Sequence, residues 1–532
     1  MASKLTVSKP AAAEDDAATS ITMSRNASQE DLLKHGELYA GDYDLATDPA
    51  QDHRATEIKI FSFKGPHMRA FHASWIGFFS AFMAWFAIAP LMSLTIKKAL
   101  NLTAHQVYVS NICALSATVG MRFVCGPLCD MYGPRTVMAA VLVICSLPTF
   151  LIGTVTTFEG LCIVRFFIGT IGSTFIMCQY WTAVMFANNV VGTANAIAGG
   201  WGNLGGGVTQ LFMGSAIYPL FLIFHNGDSN LAWRSCFVVP AMFSVICGIC
   251  IYYFAVDCPY GNYSDLMKAG KMPQYKPGKT VIQALLNPNC ILMGFMYAAA
   301  FGTELTMDNN LAALYAAKPF LLQQSDAAAT AFSYGFMNIF SRALGGYVSD
   351  VANRYLKLRG RLLVIFLYLL FQGGLLVLFS YQTTLGASIT VLQFFAIFNE
   401  GACGAIYGVV PYLEPDNQGP ATGIVGAGGN LGAIFWGLIF LYNSGSPTSL
   451  TDSMRTLGWI CMACAGFSFF IRITGHAMLI GGTEDDNMKR SNSKLNVAGV
   501  PPALGMTEDE APLEDKLYPT VVPTVYSMAR FK

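Results

Sequence analysis

Two arginines sit where an arginine is costly. Arg122 and Arg342 each lie several residues inside an apolar run. In a membrane helix such a side chain costs a few kcal/mol or more and has to face protein or water. Guanidinium is planar, permanently charged and a fork donor, so it pairs bidentately with flat oxyanions. Two forks opposed at mid-depth could hold one such anion from both sides. One anion between two cations leaves a positive charge in excess, and mutual repulsion would keep an empty site open. The competing reading is structural, each arginine forming an internal ion pair or capping a helix end. Arg165, a third candidate, has no matched partner elsewhere, and a structural role fits it better. Thr118 and Asn338 precede Arg122 and Arg342 by four residues, so each pair shares a helix face. For Thr118 an interhelix hydrogen bond fits best. Gln179 falls on the Arg165 face.

The elements that must position these residues are legible in the composition. The chain has 532 residues with no formal net charge; 12% are charged and 54% hydrophobic. A soluble domain carries about 25% charged residues, so the balance points to an integral membrane protein. The even charge argues against a nucleic-acid partner. Most of the fourteen cysteines lie inside apolar runs and imply no disulfide framework. A helix needs about 20 residues to cross a bilayer. Twelve spans are expected, at 72–94, 106–128, 136–156, 160–186, 191–222, 234–256, 286–308, 327–350, 362–381, 386–410, 420–443 and 454–479.

Residues 1–68 are polar, lack the apolar run of a signal peptide, and read as a disordered cytoplasmic tail. Residues 481–532 read as a second one. A polar segment at 257–285 separates a six-helix bundle at 69–256 from another at 286–480. Lys268, Lys271, Lys276 and Lys279 in that segment, with Arg135, Arg354, Lys357, Arg359 and Arg361, outnumber the basic residues of the opposite loops. The positive-inside rule therefore puts both tails and the central loop in the cytoplasm.

The halves repeat. Arg122-Phe-Val-Cys-Gly126-Pro-Leu-Cys-Asp130, followed by Arg135, matches Arg342-Ala-Leu-Gly-Gly346-Tyr-Val-Ser-Asp350, followed by Arg354. Gly202-Asn203-Leu204-Gly205 in span five matches Gly429-Asn430-Leu431-Gly432 in span eleven. Parallel six-span repeats are a habit of secondary transporters. Gly-x-x-x-Asp after spans two and eight resembles the loop motif of the major facilitator superfamily, although Met131 follows Asp130 where a basic residue is usual. The stretches Ala198–Gln210 and Gly426–Gly432 resemble the two nitrate signatures of the nitrate/nitrite porter family. The short central loop and long C-terminal tail look more like its plant and algal high-affinity members than its fungal ones.

That resemblance implies an all-α fold of twelve transmembrane helices in two pseudo-symmetric halves. It implies a plasma-membrane carrier importing nitrate, and nitrite as well, by alternating access with proton symport. Nitrate is itself a flat, singly charged oxyanion, suited to Arg122 and Arg342. The resemblance adds Asn203 as a ligand and Asn430 as its counterpart. It adds Tyr297 as a donor, and Phe301 and Phe175 as aromatic lids. Gly126, Asp130, Arg135, Gly346, Asp350 and Arg354 would form the gating motif. The alternative for the amides and aromatics is helix packing. An inside-negative potential opposes anion uptake by about 2.3 kcal/mol per 100 mV, so accumulation needs co-transported cations. No Gly-x-x-x-x-Gly-Lys-Ser/Thr motif offers nucleotide energy. Glu400 in span ten is the deepest carboxyl and the proton carrier favoured here; Glu304 and Asp308 are placed near the end of span seven. No cofactor, metal cluster or nucleophile–base pair stands out, so an enzyme is not expected. A nitrate/nitrite exchanger, another small-anion carrier and a nitrate sensor without transport remain open, as does a small accessory membrane subunit.

Overall fold

The computed structural model describes residues 43–187, 190–268, 277–317, 319–414, 418–443, 449–473 and 475–481. Residues 1–42, Lys271, Lys276 and the tail from 482 lie outside them. Twelve helical spans run through the described residues. They are α1 (His67–Leu91), α2 (Ala104–Tyr132), α3 (Pro134–Thr154), α4 (Phe158–Met185), α5 (Val191–Phe224) and α6 (Ser229–Phe254). Then come α7 (Pro288–Ala316), α8 (Gln324–Phe336 resumed as Ser341–Leu356), α9 (Leu358–Phe379) and α10 (Leu385–Tyr412). The last are α11 (Gly419–Asn443) and α12 (Ser449–Ala465, prolonged by a short turn to Phe469). Ten of these are long and apolar enough to cross a membrane. The other two are α8, interrupted at Met337–Ile339, and α12, whose α-helical part is 17 residues long.

Three expectations need correction. The seventh span does not stop at 308 but continues to Ala316. The twelfth ends at Phe469, short of 479. The segment expected to be a disordered tail to residue 68 is folded from Tyr43 onward. It forms an antiparallel hairpin, β1 (Thr47–Asp48) and β2 (Arg54–Ala55), and the Ala187 amide donates to the Ala55 carbonyl at 2.9 Å. Ala55 is fully buried there, and the segment is held to the start of α1 by His67 Nε2 against the His53 carbonyl at 2.8 Å.

The repeated Gly-Asn-Leu-Gly helices are the wedges between the halves. α5 packs on α1 of its own half and on α8 of the other; α11 packs on α7 and on α2 in the same way. A lipid environment gives no hydrophobic force between helices, so close backbone approach supplies the contact energy. A Cβ on Gly205 would sit 2.2 Å from the Phe79 carbonyl oxygen, and one on Gly432 would sit 2.6 Å from Ala298 Cα. The two glycines are equivalent in the repeat, and each meets the first helix of its own half.

α7 carries the one irregularity that matters for the site. Ala298–Gly302 is a π-turn between two α-helical stretches. Such a turn loosens the backbone ladder and is common at functional sites. The carbonyls at this turn are satisfied from three other helices. Trp436 Nε1 donates to Ala298 at 3.0 Å, Gln372 Nε2 to Ala299 at 2.7 Å, and Asn399 Nδ2 to Ala300 at 2.9 Å. Backbone acceptors inside a bilayer have to be paired internally, so α9, α10 and α11 jointly hold the turn. Trp436→Phe removes one donor and some of the buried ring volume. It should destabilise the protein by about 1–3 kcal/mol, read as a lower unfolding midpoint in detergent; an unchanged midpoint would mean that the turn is held without this bond.

Candidate functional site

α2 and α8 bring Arg122 and Arg342 into the closed middle of the bundle, where they are 0% and 2% exposed. Their surroundings differ. The Arg122 guanidinium donates to the Gly426 carbonyl on α11 and to the Gly172 carbonyl on α4, the latter at 3.2 Å. With the Asn430 amide turned so that its oxygen faces the fork, that oxygen accepts from the three Arg122 nitrogens at 2.7, 3.0 and 3.2 Å. These acceptors are all neutral. Arg342 Nη2 instead donates to Glu304 Oε2 at 2.6 Å, in an ion pair whose side chains are 2% and 1% exposed.

The expectation of two uncompensated forks held apart by repulsion is therefore corrected: one fork is already neutralised. The reason is the length of α7. With the span running to Ala316, Glu304 lies at its middle and not at its edge. The polar residues Thr303, Glu304, Thr306, Asp308 and Asn310 lie on several sides of α7, and all are buried among the surrounding helices. A buried pair is tolerable only when further hydrogen bonds compensate its desolvation. Glu304 has them: Asn203 Nδ2 donates to Oε1 at 2.9 Å and Asn338 Nδ2 at 3.0 Å, while the Cys403 thiol lies 3.5 Å from Oε2. Asn203 thus spends its amide protons on Glu304. A signal for Glu304 was available in the sequence, since Tyr297, Phe301 and Glu304 follow at i, i+4 and i+7 on one helical face.

The aromatic residues converge as one stack. Tyr297 and Phe301 lie 5.2 Å apart at 9°, and Phe175 stacks on Phe301 at 5.7 Å and 18°. Phe301 is close to both arginines, its ring centre 5.3 Å from the guanidinium carbon of Arg122 and 5.7 Å from that of Arg342. Phe175 faces Arg122 at 4.9 Å. Tyr407, which sequence reasoning missed, stands edge-on at 5.1 Å from both Phe175 and Tyr297. It follows Glu400 by seven residues on α10, and that spacing was the available signal. The Tyr297 hydroxyl and Arg342 Nε are buried without a hydrogen-bond partner among the described residues.

Glu400 is fully buried, and neither of its oxygens has a hydrogen-bond partner among the described residues. It is within Coulombic reach of Glu304, Arg342 and Asp308. Arg165 stays away from the centre: it donates to Ser110 Oγ at 2.7 Å and to Asn111 Oδ1, tying α4 to α2. Thr118 bonds the Gly169 carbonyl of α4, and Gln179 Nε2 bonds the Asn195 carbonyl at 3.1 Å. All three make the interhelix bonds that the packing reading describes.

The motif residues gather at the end of the bundle where α1 begins. A Cβ on Gly126 would approach the Gly419 carbonyl to 3.3 Å, and one on Gly346 would approach Ala196 Cβ to 2.8 Å. Each motif glycine therefore meets the wedge helix of the opposite half. Their aspartates sit at the N-termini of those helices, where the helix dipole favours negative charge. Asp130 is close to Gly419 and Asp350 to Gly192, and Thr193 Oγ1 donates to Asp350 at 2.9 Å. The basic partners depart from expectation. Arg354 is exposed, and Asp350 pairs with Arg361 at 2.7 Å. Lys357, at φ 55°, reverses the chain between α8 and α9, so that Arg361 turns back toward α8. Arg135 serves Asp257: its amide donates at 2.9 Å, its guanidinium lies 3.7 Å away, and the Tyr263 amide donates to the same carboxyl at 3.1 Å. At the opposite end Thr95 Oγ1 bonds Gln324 Oε1 at 3.1 Å, and Gln210 Nε2 bonds the Asp308 carbonyl at 2.9 Å. Polar contacts thus join the halves at both ends.

A family model described as the Major Facilitator Superfamily matches residues 74–437. High affinity nitrate transporter 2.5 of Arabidopsis thaliana is 36% identical over 417 residues, covering 78% of this chain and 81% of the relative. Nitrate transporter 2.2 of Chlamydomonas reinhardtii is 36% identical over 426 residues, covering 79% and 81%. The nitrate/nitrite transporter NrtP of Nostoc punctiforme is 26% identical, covering 78% and 94%. Among solved structures, a bacterial homologue of the human lysosomal transporter Spinster, inward-facing and unoccupied, superposes with a TM-score of 0.56 at 14% identity, covering 75% of this chain and 96% of that one. This last likeness concerns the fold alone.

The Asp257 latch has a pH signature. Burial raises its carboxyl from 3.8 to about 6, against the lowering pull of the Tyr263 and Arg135 amides and the Arg135 charge. The folded protein thus holds this proton more tightly than the unfolded chain. The associated stabilisation is complete below pH 3.8 and lost as pH rises through about 6. Asp257→Asn should flatten the pH dependence of the unfolding midpoint between about pH 4 and 7. An unchanged slope would overturn that account.

Proposed function

This chain belongs to the nitrate/nitrite porter family of the major facilitator superfamily, and on that premise we propose that it imports nitrate, and nitrite, by alternating access coupled to protons. The observation that carries the reading is the central pair of buried guanidinium groups on one aromatic stack, contributed by equivalent places in two halves. Arg122 is the primary anion site in this reading, because its present partners are neutral carbonyl and amide oxygens. A flat anion is a stronger acceptor than either. The Tyr297 hydroxyl and Arg342 Nε supply further donors, and Phe175 and Phe301 form the walls. Asn430 orients Arg122. Asn203 acts through Glu304, from which it has to be released before it can touch the anion.

Polar contacts at both ends and a solvent-inaccessible centre suit an occluded intermediate of alternating access. Gly126, Asp130, Gly346 and Asp350, with Arg135 and Arg361 as basic partners, serve as the gate at the end where α1 begins. In this reading that end is cytoplasmic, in keeping with the distribution of Lys and Arg, and the importer belongs to the plasma membrane. The membrane potential opposes an unaccompanied anion by about 2.3 kcal/mol per 100 mV, so accumulation needs a co-transported cation, and in this reading that cation is the proton.

The test is labelled nitrate uptake into proteoliposomes, paired with currents in voltage-clamped oocytes. Inward current on adding nitrate in acid supports symport. Electroneutral nitrate/nitrite exchange supports the exchanger, and binding without flux supports a sensor. Arg122→Lys should lower nitrate uptake at least about tenfold, because a point charge does not replace a fork. Near-normal uptake by that variant removes Arg122 from the anion site.

A further inference from the structure

Glu304 is a carboxylate standing where an anionic substrate has to go. Its Oε2 takes the Arg342 fork at 2.6 Å, and its Oε1 takes the amide protons of Asn203 and Asn338 at 2.9 and 3.0 Å. One guanidinium and two amides from α5 and α8 make a donor set for a flat oxyanion, and a side chain of the protein fills it. The groups that face Glu304 are few. α8 brings Arg342 and Tyr334, α10 brings Glu400 and Cys403, and α7 itself brings Asp308 one turn on. α5 brings the neutral Asn203, while Arg122 and Tyr297 each lie against the Phe301 ring, which Arg342 also approaches.

We propose that Glu304 is the tethered occupant of the Arg342 half of the site, and that its protonation frees Arg342, Asn203 and Asn338 for the transported anion. The inference rests on the nitrate reading above. A carboxylate fixed to the same protein has a far higher effective concentration than a dissolved anion, so nitrate does not displace it while it is charged. A proton adds to the Glu304 carboxylate, the ion pair with Arg342 is lost, and the anion takes the vacated fork. On the opposite side the anion leaves, the neutral acid gives up its proton to water, and the carboxylate pairs with Arg342 again. Glu304 thus carries one proton in the same direction as the anion, and the net inward charge of symport needs at least one further proton carried elsewhere. The unloaded carrier returns with the Arg342 charge already balanced.

The first measurement uses the wild-type protein in weakly buffered detergent with a pH dye. Nitrate addition should draw about one proton from solution per anion bound, and the apparent affinity should weaken about tenfold per pH unit on the alkaline side. The second uses Glu304→Gln, which keeps the volume and an acceptor oxygen but cannot ionise. Its nitrate binding should lose pH dependence. In proteoliposomes it should still exchange nitrate for nitrate while losing accumulation driven by an inward proton gradient. Glu304→Asp should retain the proton uptake. Gradient-driven accumulation by Glu304→Gln at the wild-type level overturns the proposal, and so does nitrate binding by the wild type with no proton taken up. If the Gln variant does not fold, the wild-type dye measurement decides alone. Absence of nitrate binding and flux in the wild type at every pH removes the substrate reading and this inference with it. Flux with proton-independent binding removes this inference only.

Discussion

Everything central in this protein answers to one constraint: two guanidinium groups are buried in a bundle that spans a lipid bilayer. A permanent positive charge at that depth needs acceptors within hydrogen-bond reach, and water is not there to provide them. The two arginines meet this need in different ways. Arg122 is held by backbone carbonyls and the Asn430 amide. Arg342 is held by a carboxylate that two further amides steady. The difference divides the labour of the site. In the proposed reading, the neutral cage leaves a cation ready for an exchangeable anion, while the ion pair holds a carboxylate that protonation releases.

The surrounding architecture exists to hold that arrangement without filling it. Wedge helices rich in glycine let α5 and α11 press against backbone, so the halves meet closely with few large side chains between them. The π-turn of α7 sets Tyr297 and Phe301 beside Arg122 and then carries Glu304 to Arg342. Its freed carbonyls are pinned by Trp436, Gln372 and Asn399 from three helices. These bonds tie α9, α10 and α11 to the turn that carries Phe301, the ring close to both arginines. This is a physical route from rearrangement of one half to access at the centre.

Pseudo-symmetry is strong in the backbone and weak in the charges. The motif glycines and aspartates meet the opposite wedge helices in the same manner in both halves. Their basic partners do not correspond, Arg135 latching Asp257 and Arg361 latching Asp350. The same asymmetry recurs at the centre, where only the second half supplies a carboxylate to its arginine. A repeat with identical charges would give two equal sites. One added acid makes the two arginine environments unequal, which is the basis of the proposed split between binding and switching.

Most of the fold was legible in the sequence, because a helix that crosses lipid has to be apolar over a fixed length and twelve such runs are easily counted. The repeat was legible for the same reason, since Arg122 and Arg342 recur within matched surroundings that no soluble helix would require. The site was legible in part. Arg122, Arg342, Tyr297, Phe301 and Phe175 do meet in one cluster, yet the ion pair was hidden. The polar residues from Thr303 to Asn310 look like the end of a span when hydropathy is averaged around the helix. Averaging cannot tell a face turned to the bundle interior from a face turned to water. The sequence by itself determined which residues are forced into the membrane. Only the tertiary structure decided which of them pair, since Glu304 and Arg342 come from different helices and their charges cancel only when packing brings α7 and α8 to the same depth.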